Sequence, residues 1–124
     1  MQNGTISAVL AGTAALTKTT AGEVLLSGTN QYSGLTTVND GKLTLGVNSA
    51  IFGTSNVVVN GGELAIGATT QSVGTVTLVG GVISGTTGSL TGGSYLVQSG
   101  TISAVLAGTA ALTKTTAGEV LLSG

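Results

Sequence analysis

The sequence contains no cysteine, proline, histidine, arginine or tryptophan. Without cysteine the chain can form no disulfide bond and offers no thiolate to a metal ion. Without histidine and arginine it lacks two side chains that commonly act as general base and as cationic stabiliser in enzymes. Its single aspartate, Asp40, precedes a glycine, which is typical of a turn and makes no calcium-binding repeat motif. We therefore expect no metal, no cofactor and no catalytic residues.

Charged residues are also scarce. They make up 6% of the chain, as three lysines and four acidic residues with a net charge of -1, whereas an ordinary domain has about 25%. No basic patch is available to neutralise phosphates, so the composition argues against nucleic-acid binding. Because 41% of the residues are hydrophobic, the chain can still bury enough apolar surface to fold.

One apolar segment, Ile6–Leu16, has the small residues of a signal peptide. No basic residue precedes it, however, and the same residues return at Ile102–Leu112. We therefore expect this segment to belong to the fold. No apolar run approaches the roughly 18 residues of a membrane span, so we expect no membrane insertion by this part of the protein.

A tandem repeat dominates the sequence. Residues 2–28 and 98–124 are identical except that Asn3 is replaced by Ser99, which gives a repeat period of 98 − 2 = 96 residues. A shorter period lies inside this unit and is marked by regularly spaced glycines. These predicted turn glycines are Gly4, Gly22, Gly41, Gly62, Gly81, Gly100 and Gly118. Their intervals are 18, 19, 21, 19, 19 and 18 residues, so the pattern predicts a repeat architecture with five rungs in each unit.

Short strands are predicted on both sides of each glycine. After the glycine and one spacer residue, inward positions are predicted at Ile6, Val24, Leu43, Leu64, Ile83, Ile102 and Val120. Five residues before the glycine, a second inward column is predicted at Thr17, Thr36, Val57, Val76, Tyr95 and Thr113. Three residues before it, a third column is predicted at Thr19, Val38, Val59, Leu78, Val97 and Thr115. A less regular segment between the strands has Tyr32, Ile51, Val73 and Leu90 as its predicted core residues.

This pattern predicts an all-β fold, a right-handed parallel β-helix (β-solenoid) with about 19 residues per rung and a roughly triangular cross-section. The whole chain, 1–124, forms one solenoid in this interpretation. Its rungs are predicted at approximately 6–23, 24–42, 43–63, 64–82, 83–101 and 102–119, with a partial rung at 120–124. An antiparallel sandwich of hairpins is the competing interpretation, but it does not explain why similar residues recur at the same place in every rung.

Four of the seven charged residues fall in one column of the predicted stack. Glu23, Lys42, Glu63 and Glu119 each follow a turn glycine directly. Lys42 would lie between Glu23 and Glu63, one rung from each. A pair of carboxylates could serve glycoside hydrolysis, but an outward-facing ladder of surface charges is the interpretation that we favour, because Lys42 separates the two acids.

Residues 16–46, LTKTTAGEVLLSGTNQYSGLTTVNDGKLTLG, resemble a known repeat family. The likeness is to the autotransporter-associated β-strand repeat of bacterial autotransporter passenger domains. It is carried by Leu16-Thr17-Lys18-Thr19, Leu25-Leu26-Ser27-Gly28, Asn30, Tyr32-Ser33-Gly34, Thr36-Thr37-Val38-Asn39 and Leu43-Thr44-Leu45-Gly46. Val58-Val59-Asn60-Gly61-Gly62-Glu63-Leu64 is a weaker echo of the same pattern. Residues 112–124 repeat its first part. The resemblance implies a right-handed β-helix displayed outside a bacterial cell.

Three functions are compatible with these features. The first is a structural, non-catalytic shaft segment of a long repetitive extracellular bacterial surface protein or fibre, similar to an autotransporter passenger, with adhesion as a compatible further role. The second is a filament subunit that stacks end to end with itself, because uncapped solenoid ends are exposed strand edges. The third is a carbohydrate-binding or carbohydrate-cleaving β-helix, which needs clustered acids or exposed aromatic side chains. We expect the first.

Overall fold

The protein is a β-solenoid of about six turns. The computed structural model describes residues 4–13, 15–51, 55–108, 110–114 and 118–123. These residues form eighteen strands and no helix, and every strand pair in them is parallel. The predicted fold class is confirmed. Because each rung contributes one strand to a face, strands about 19 residues apart are neighbours in space.

The first face of the solenoid is a seven-stranded sheet. Its strands, in spatial order, are β1 (Gly4–Ile6), β4 (Glu23–Leu26), β7 (Lys42–Leu45), β9 (Glu63–Gly67), β12 (Val82–Gly85), β15 (Gly100–Ile102) and β18 (Val120–Leu122). Spatial order and sequence order agree throughout, which is the arrangement expected when each rung stacks on the one before it.

The other two faces complete a triangle. The second face has two short sheets, formed by β2 (Ala11–Gly12) with β5 (Gln31–Tyr32), and by β10 (Thr70–Ser72), β13 (Ser89–Thr91) and β16 (Val105–Ala107). The third face is a six-stranded sheet of β3 (Leu16–Lys18), β6 (Thr36–Val38), β8 (Val57–Val59), β11 (Thr75–Leu78), β14 (Ser94–Val97) and β17 (Leu112–Lys114).

The core runs along the axis between the three faces. Alternate residues of each strand point inward, so Leu43, Leu64 and Ile83 of the first face are stacked in register and fully buried. The third face contributes the column Val38, Val59, Leu78 and Val97. The second-face residues predicted for the core are buried as well, at Tyr32, Ile51, Val73 and Leu90.

A column of glycines forms the corner before the first face. The register places Gly22, Gly41, Gly62, Gly81 and Gly100 one above another. Gly62 and Gly81 have φ angles of 69° and 84°, a left-handed backbone that glycine adopts without steric cost. A Cβ atom at Gly81 would also collide with the backbone of the rung below, 2.9 Å from the carbonyl carbon of Gly61. The corner therefore needs glycine for two separate reasons.

The predicted register is wrong at the N-terminal end. The intervals predicted Gly4 above Gly22, but Gly4 pairs with Val24, and Ile6 lies beside Leu26. The strand has slipped by two residues from the predicted register. Because side chains alternate with a period of two, such a slip keeps Ile6 directed inward and gives up only the stacking of the glycines.

The duplicated C-terminal end slips in the same way. Gly100 pairs with Val120 instead of lying against Gly118, and Ile102 pairs with Leu122. The predicted pairing of Ile102 with Val120 is therefore also wrong. The two copies of the repeat thus form the same strand pair on the first face, although one is at each end of the stack.

On the third face the first rung departs from the prediction by one residue. The structure pairs Leu16 with Thr36 and Lys18 with Val38, so Thr17 points outward. The sequence predicted Thr17 and Thr19 as the inward residues. A one-residue shift exchanges the two sides of a strand. Here it buries the large apolar Leu16 and carries the lysine two residues later into the interior.

The last rung of the third face shows the same one-residue shift from the predicted register. Leu112 pairs with Tyr95, and Thr113, which the sequence placed opposite Tyr95, pairs with Leu96 instead. The prediction for Thr115 lies outside the described residues. The same Leu-Thr-Lys segment therefore adopts the same orientation in both copies.

Buried amides support the second face where the third rung has no strand in its described residues. Gln71 of β10 is fully buried, and its amide oxygen accepts a hydrogen bond from the backbone N–H of Ala50 at 2.9 Å. Its amide nitrogen donates to the carbonyl of Val47 at 2.7 Å and to Thr69 Oγ1 at 2.9 Å. Asn30, also buried, donates to the carbonyl of Ala50 from the other side at 2.8 Å. Side chains thus satisfy backbone groups that a strand ladder would otherwise pair.

Candidate functional sites: the charged column and the solenoid ends

The charged column lies on the outer surface of the first face. Glu23 pairs with Lys42, and Lys42 pairs with Glu63, in adjacent rungs. Glu23 is exposed, and the other two side chains are partly buried. Each acid accepts a hydrogen bond from a hydroxyl one rung further on: Thr44 Oγ1 donates to Glu23 Oε2 at 2.6 Å, and Ser84 Oγ donates to Glu63 Oε2.

Glu119 does not belong to this column. Gly100 pairs with Val120, so Glu119 lies one position before that pair, on the level of Ser99. The prediction that it shares the column of Glu23 is wrong, and the reason is the same two-residue slip. The column therefore contains two acids with Lys42 between them.

The column can stabilise the stack through alternating charge. With rungs about 4.8 Å apart, the two acids are separated by two rung spacings, and Lys42 lies between them in the strand register. Among the residues that the structure describes, no three histidine, cysteine, aspartate or glutamate side chains come close enough to hold a metal ion. Exposed pairs of opposite charge contribute about 0–1 kcal/mol each.

Replacing Lys42 by glutamine is expected to lower the free energy of unfolding by less than about 1 kcal/mol. Glutamine keeps two of the four methylene groups and removes the charge, so the salt dependence of the loss tests the charge. Urea unfolding at low ionic strength and in 1 M salt measures it, and the difference from the unaltered protein should vanish in 1 M salt, where the Debye length is about 3 Å. A loss of more than about 2 kcal/mol that persists in salt would contradict the surface-ladder interpretation.

The two tyrosines belong to the interior. The hydroxyl of Tyr32 lies 2.6 Å from Thr36 Oγ1. Burial raises the pKa of Tyr32 above its ordinary value of 10.0, and the hydrogen bond with Thr36 partly opposes this. Tyr95 accepts from the backbone N–H of Gly92 at 2.7 Å and lies within donating distance of the Leu90 carbonyl at 2.9 Å. Phe52, the remaining aromatic residue, lies outside the described residues. Neither tyrosine offers a face on which a sugar or base could stack.

The sequence analysis did not predict that a lysine would be buried. Lys18 is fully buried at one end of the third-face column Val38, Val59, Leu78 and Val97, whose other end is the equivalent Lys114. Its ammonium group donates to the carbonyl of Thr20 and lies 3.5 Å from the carbonyl of Asp40 on the next rung. Leu16 could have predicted this burial. It lies two positions before Lys18 on the same strand, so the two side chains point to the same side, and a large apolar residue is expected to point inward. The arrangement fixes the ammonium group under a turn, where it is shielded from solvent.

The two ends of the stack expose apolar side chains. At the C-terminal end a cavity of about 120 Å³ is lined by Ile102, Ala104, Val105, Leu106 and Leu122. Leu121 and Leu112, on the same end, are also exposed. With Val105 and Leu122 they make up four of the seven exposed large hydrophobic residues of the described chain, and all four lie where the core of the described stack stops.

The fold and these sites define the protein as a parallel β-solenoid built from a tandem repeat. No protein-family model, curated protein or solved structure matches the chain. The described residues form no helix, and therefore none that could span a membrane. The resemblance to the autotransporter repeat therefore stays a prediction based on residues 16–46.

Proposed function

We propose that the protein is a structural, non-catalytic shaft segment of a long repetitive surface protein or fibre outside a bacterial cell. The observation that carries this proposal is the equivalence of the two repeat copies. Thr5 pairs with Leu25 and Thr101 pairs with Leu121, so the duplicated sequence stacks in one register at both positions. A sequence of this kind can be extended by adding further units without changing how rungs meet.

The surface chemistry supports the same role. The two outward carboxylates of the first face, Glu23 and Glu63, accept hydrogen bonds from Thr44 and Ser84, and the described tyrosines are buried. Among the described residues, such a surface brings together no cluster of three acids and exposes no aromatic ring, which suits a spacer between other modules. The extracellular location follows from the resemblance of residues 16–46 and is part of the proposal.

The shaft proposal can be tested with proteins that contain one, two or three of the 96-residue units. Each added unit contains five rungs and should lengthen the particle by about 24 Å at constant cross-section, since rungs are about 4.8 Å apart. Small-angle X-ray scattering measures both dimensions. An increase in cross-section without an increase in length would overturn the proposal, and so would cleavage of a polysaccharide by the purified chain.

The location is tested separately on cells. Antiserum raised against the purified chain should label intact cells of the bacterium that encodes it. Labelling that appears only after permeabilisation would contradict the extracellular part of the proposal and leave the shaft architecture untouched.

A filament subunit is the second candidate, favoured by the exposed apolar end. Leu112 and Leu122 are 40% and 51% exposed, and monomeric proteins seldom leave large apolar patches uncovered. Electron microscopy over a concentration series distinguishes the two candidates, because the isolated chain would form filaments only if its ends associate.

A further inference from the structure

The duplicated rung is covered on opposite sides in its two copies. Its side toward the C-terminus is covered in the first copy, where Leu16 is 6% exposed, and uncovered in the second, where the equivalent Leu112 is 40% exposed. Its other side shows the reverse. Ile102 and Ala104 are buried by the rung before them, whereas the equivalent Ile6 is only half-buried and Ala8 is exposed.

The covering rung begins identically in both copies. The backbone N–H of Ser27 donates to the carbonyl of Ile6 at 2.9 Å, and that of Ser123 donates to the carbonyl of Ile102 at 2.9 Å. The first-face strand of the covering rung is therefore already in place at the C-terminal end, as β18. The strands that would cover the second and third faces of this rung correspond to β5 and β6.

In the first copy these strands make specific hydrogen bonds. The backbone N–H of Gln31 donates to the carbonyl of Leu10 at 2.6 Å, and the N–H of Leu10 donates to Asn30 Oδ1 at 2.9 Å. On the third face the N–H of Asn39 donates to the carbonyl of Lys18 at 2.8 Å. The equivalent surface of the second copy has the same residues, so it can form the same hydrogen bonds with a segment that has the sequence of residues 29–41.

The cavity at the C-terminal end lies where the first of these contacts would form. Its lining includes Leu106, the equivalent of Leu10, and Leu122, the equivalent of the fully buried Leu26. In the first copy the side chain of Asn30 lies beside Leu10 and is 1% exposed. The position in the first copy that is equivalent to this cavity is therefore filled by Asn30 and the residues that follow it.

We propose that the C-terminal end of one copy receives residues 29–41 of a second copy, whose own residues 4–28 are released. Contacts between the duplicated rung and residues 29–41 are lost within one chain and regained between two, so they nearly cancel. The pairing of β1 with β4 is given up, whereas the released segment regains conformational freedom, and this freedom favours the exchange. Association costs translational and rotational entropy, so exchange is favoured at high protein concentration, as in domain swapping.

Exchange repeated from copy to copy gives a head-to-tail chain of solenoids. Every junction then has the rung order of the covalent repeat, and in a longer polypeptide the next repeat would occupy the same surface. The proposal does not depend on where the protein works. It differs from simple stacking of whole ends, in which β2 and β3 of one copy would lie on β16 and β17 of another. Because β18 already pairs with β15, that stacking also requires either β18 or the β1 strand of the other copy to be displaced.

Cysteine cross-linking distinguishes these arrangements because the chain has no native cysteine. Thr113 is exposed at the centre of the edge strand β17, and its equivalent Thr17 pairs with Thr37. In exchange, Thr113 of one copy lies beside Thr37 of another. In whole-end stacking it lies beside Thr17. Thr77 lies between two rungs on the same face, paired with Val58 and Leu96, and provides the background.

The experiment mixes T113C with T37C, with T17C or with T77C, one partner in each mixture carrying an affinity tag. The full-length proteins are refolded together from denaturant at a series of concentrations and then oxidised. Non-reducing electrophoresis measures the disulfide-linked heterodimer. We expect the T113C–T37C yield to exceed the T113C–T77C background at least about tenfold and to rise with concentration.

Two results would overturn the proposal. Preferential linkage of T113C to T17C would assign the association to whole-end stacking. Equal yields in all three mixtures, or no heterodimer at any concentration, would show that the C-terminal surface does not receive residues 29–41. Each variant alone should keep the far-UV circular dichroism of the unaltered protein, which confirms that threonine-to-cysteine changes on the outer surface leave the fold intact.

Discussion

Replacing Gly81 with alanine is expected to lower the free energy of unfolding by about 4 kcal/mol. The φ angle of 84° places alanine in the left-handed region, and its Cβ atom would press into the carbonyl oxygen of Gly62. Because the obstacle is backbone in a stacked rung, it cannot move aside as a flexible side chain could. Urea unfolding followed by far-UV circular dichroism measures the loss.

Gly67 supplies a matched control for this change. It has a φ angle of 58°, and a Cβ atom built on it meets no atom within 4 Å. Alanine at Gly67 should therefore cost only the backbone term of about 1 kcal/mol. Equal losses at Gly67 and Gly81 would mean that backbone conformation alone decides the effect and that the close stacking of the glycine column contributes nothing.

Replacing Gln71 with methionine should destabilise the protein by about 3 kcal/mol. Methionine has nearly the shape of glutamine, so the change removes hydrogen bonds and leaves packing almost unaltered. The N–H of Ala50 and the carbonyl of Val47 lose their partners, and unpaired buried backbone groups are costly. Urea unfolding measures the total, and hydrogen exchange at Ala50 should accelerate strongly because its amide is no longer bonded.

The control is methionine at Leu90, one rung further along. Leu90 is the register partner of Gln71 and is 1% exposed, but its side chain makes no hydrogen bond. This substitution should cost less than about 1.5 kcal/mol. If the two variants lost the same stability, the buried amide would matter only through its shape, and our account of the second face would be wrong.

Sequence reasoning was reliable for the central rungs. There each inward column repeats one kind of residue, as in Leu43, Leu64 and Ile83, and the glycine corner fixes the register independently. At the ends two criteria compete. Stacking the glycines would place Gly4 over Gly22, whereas the structure pairs Ile6 with Leu26. A two-residue slip leaves the inside-outside pattern unchanged, so the hydrophobic pattern could not choose between the two registers.

Lys18 shows a different difficulty. Spacing from the glycine favoured Thr17 as the inward residue, and placing a lysine inside is normally unfavourable. Burial of Leu16 and the carbonyls of Thr20 and Asp40 outweighs that preference. The carbonyls belong to turns whose positions depend on the finished stack, so the sequence alone could not show that the ammonium group would find them.

The candidate sites were predictable to different degrees. The alternation of Glu23, Lys42 and Glu63 follows from counting residues, and the register reproduces it. The hydroxyl partners Thr44 and Ser84 were not predicted, because they depend on which side chains meet across a rung spacing. The cavity at Leu106 and Leu122 could not be foreseen either, since it depends on how far the last rung closes.

The direction of the strand ladders also determines how the solenoid responds to tension. Every parallel pair, from β1 with β4 to β15 with β18, places its hydrogen bonds along the long axis. A pull between the two ends of the solenoid therefore loads successive ladders in series, and we expect them to open one rung at a time. Each opened rung of about 19 residues releases on the order of 65 Å of extended chain. Under load the solenoid would therefore lengthen in steps and dissipate mechanical work each time a rung unfolds.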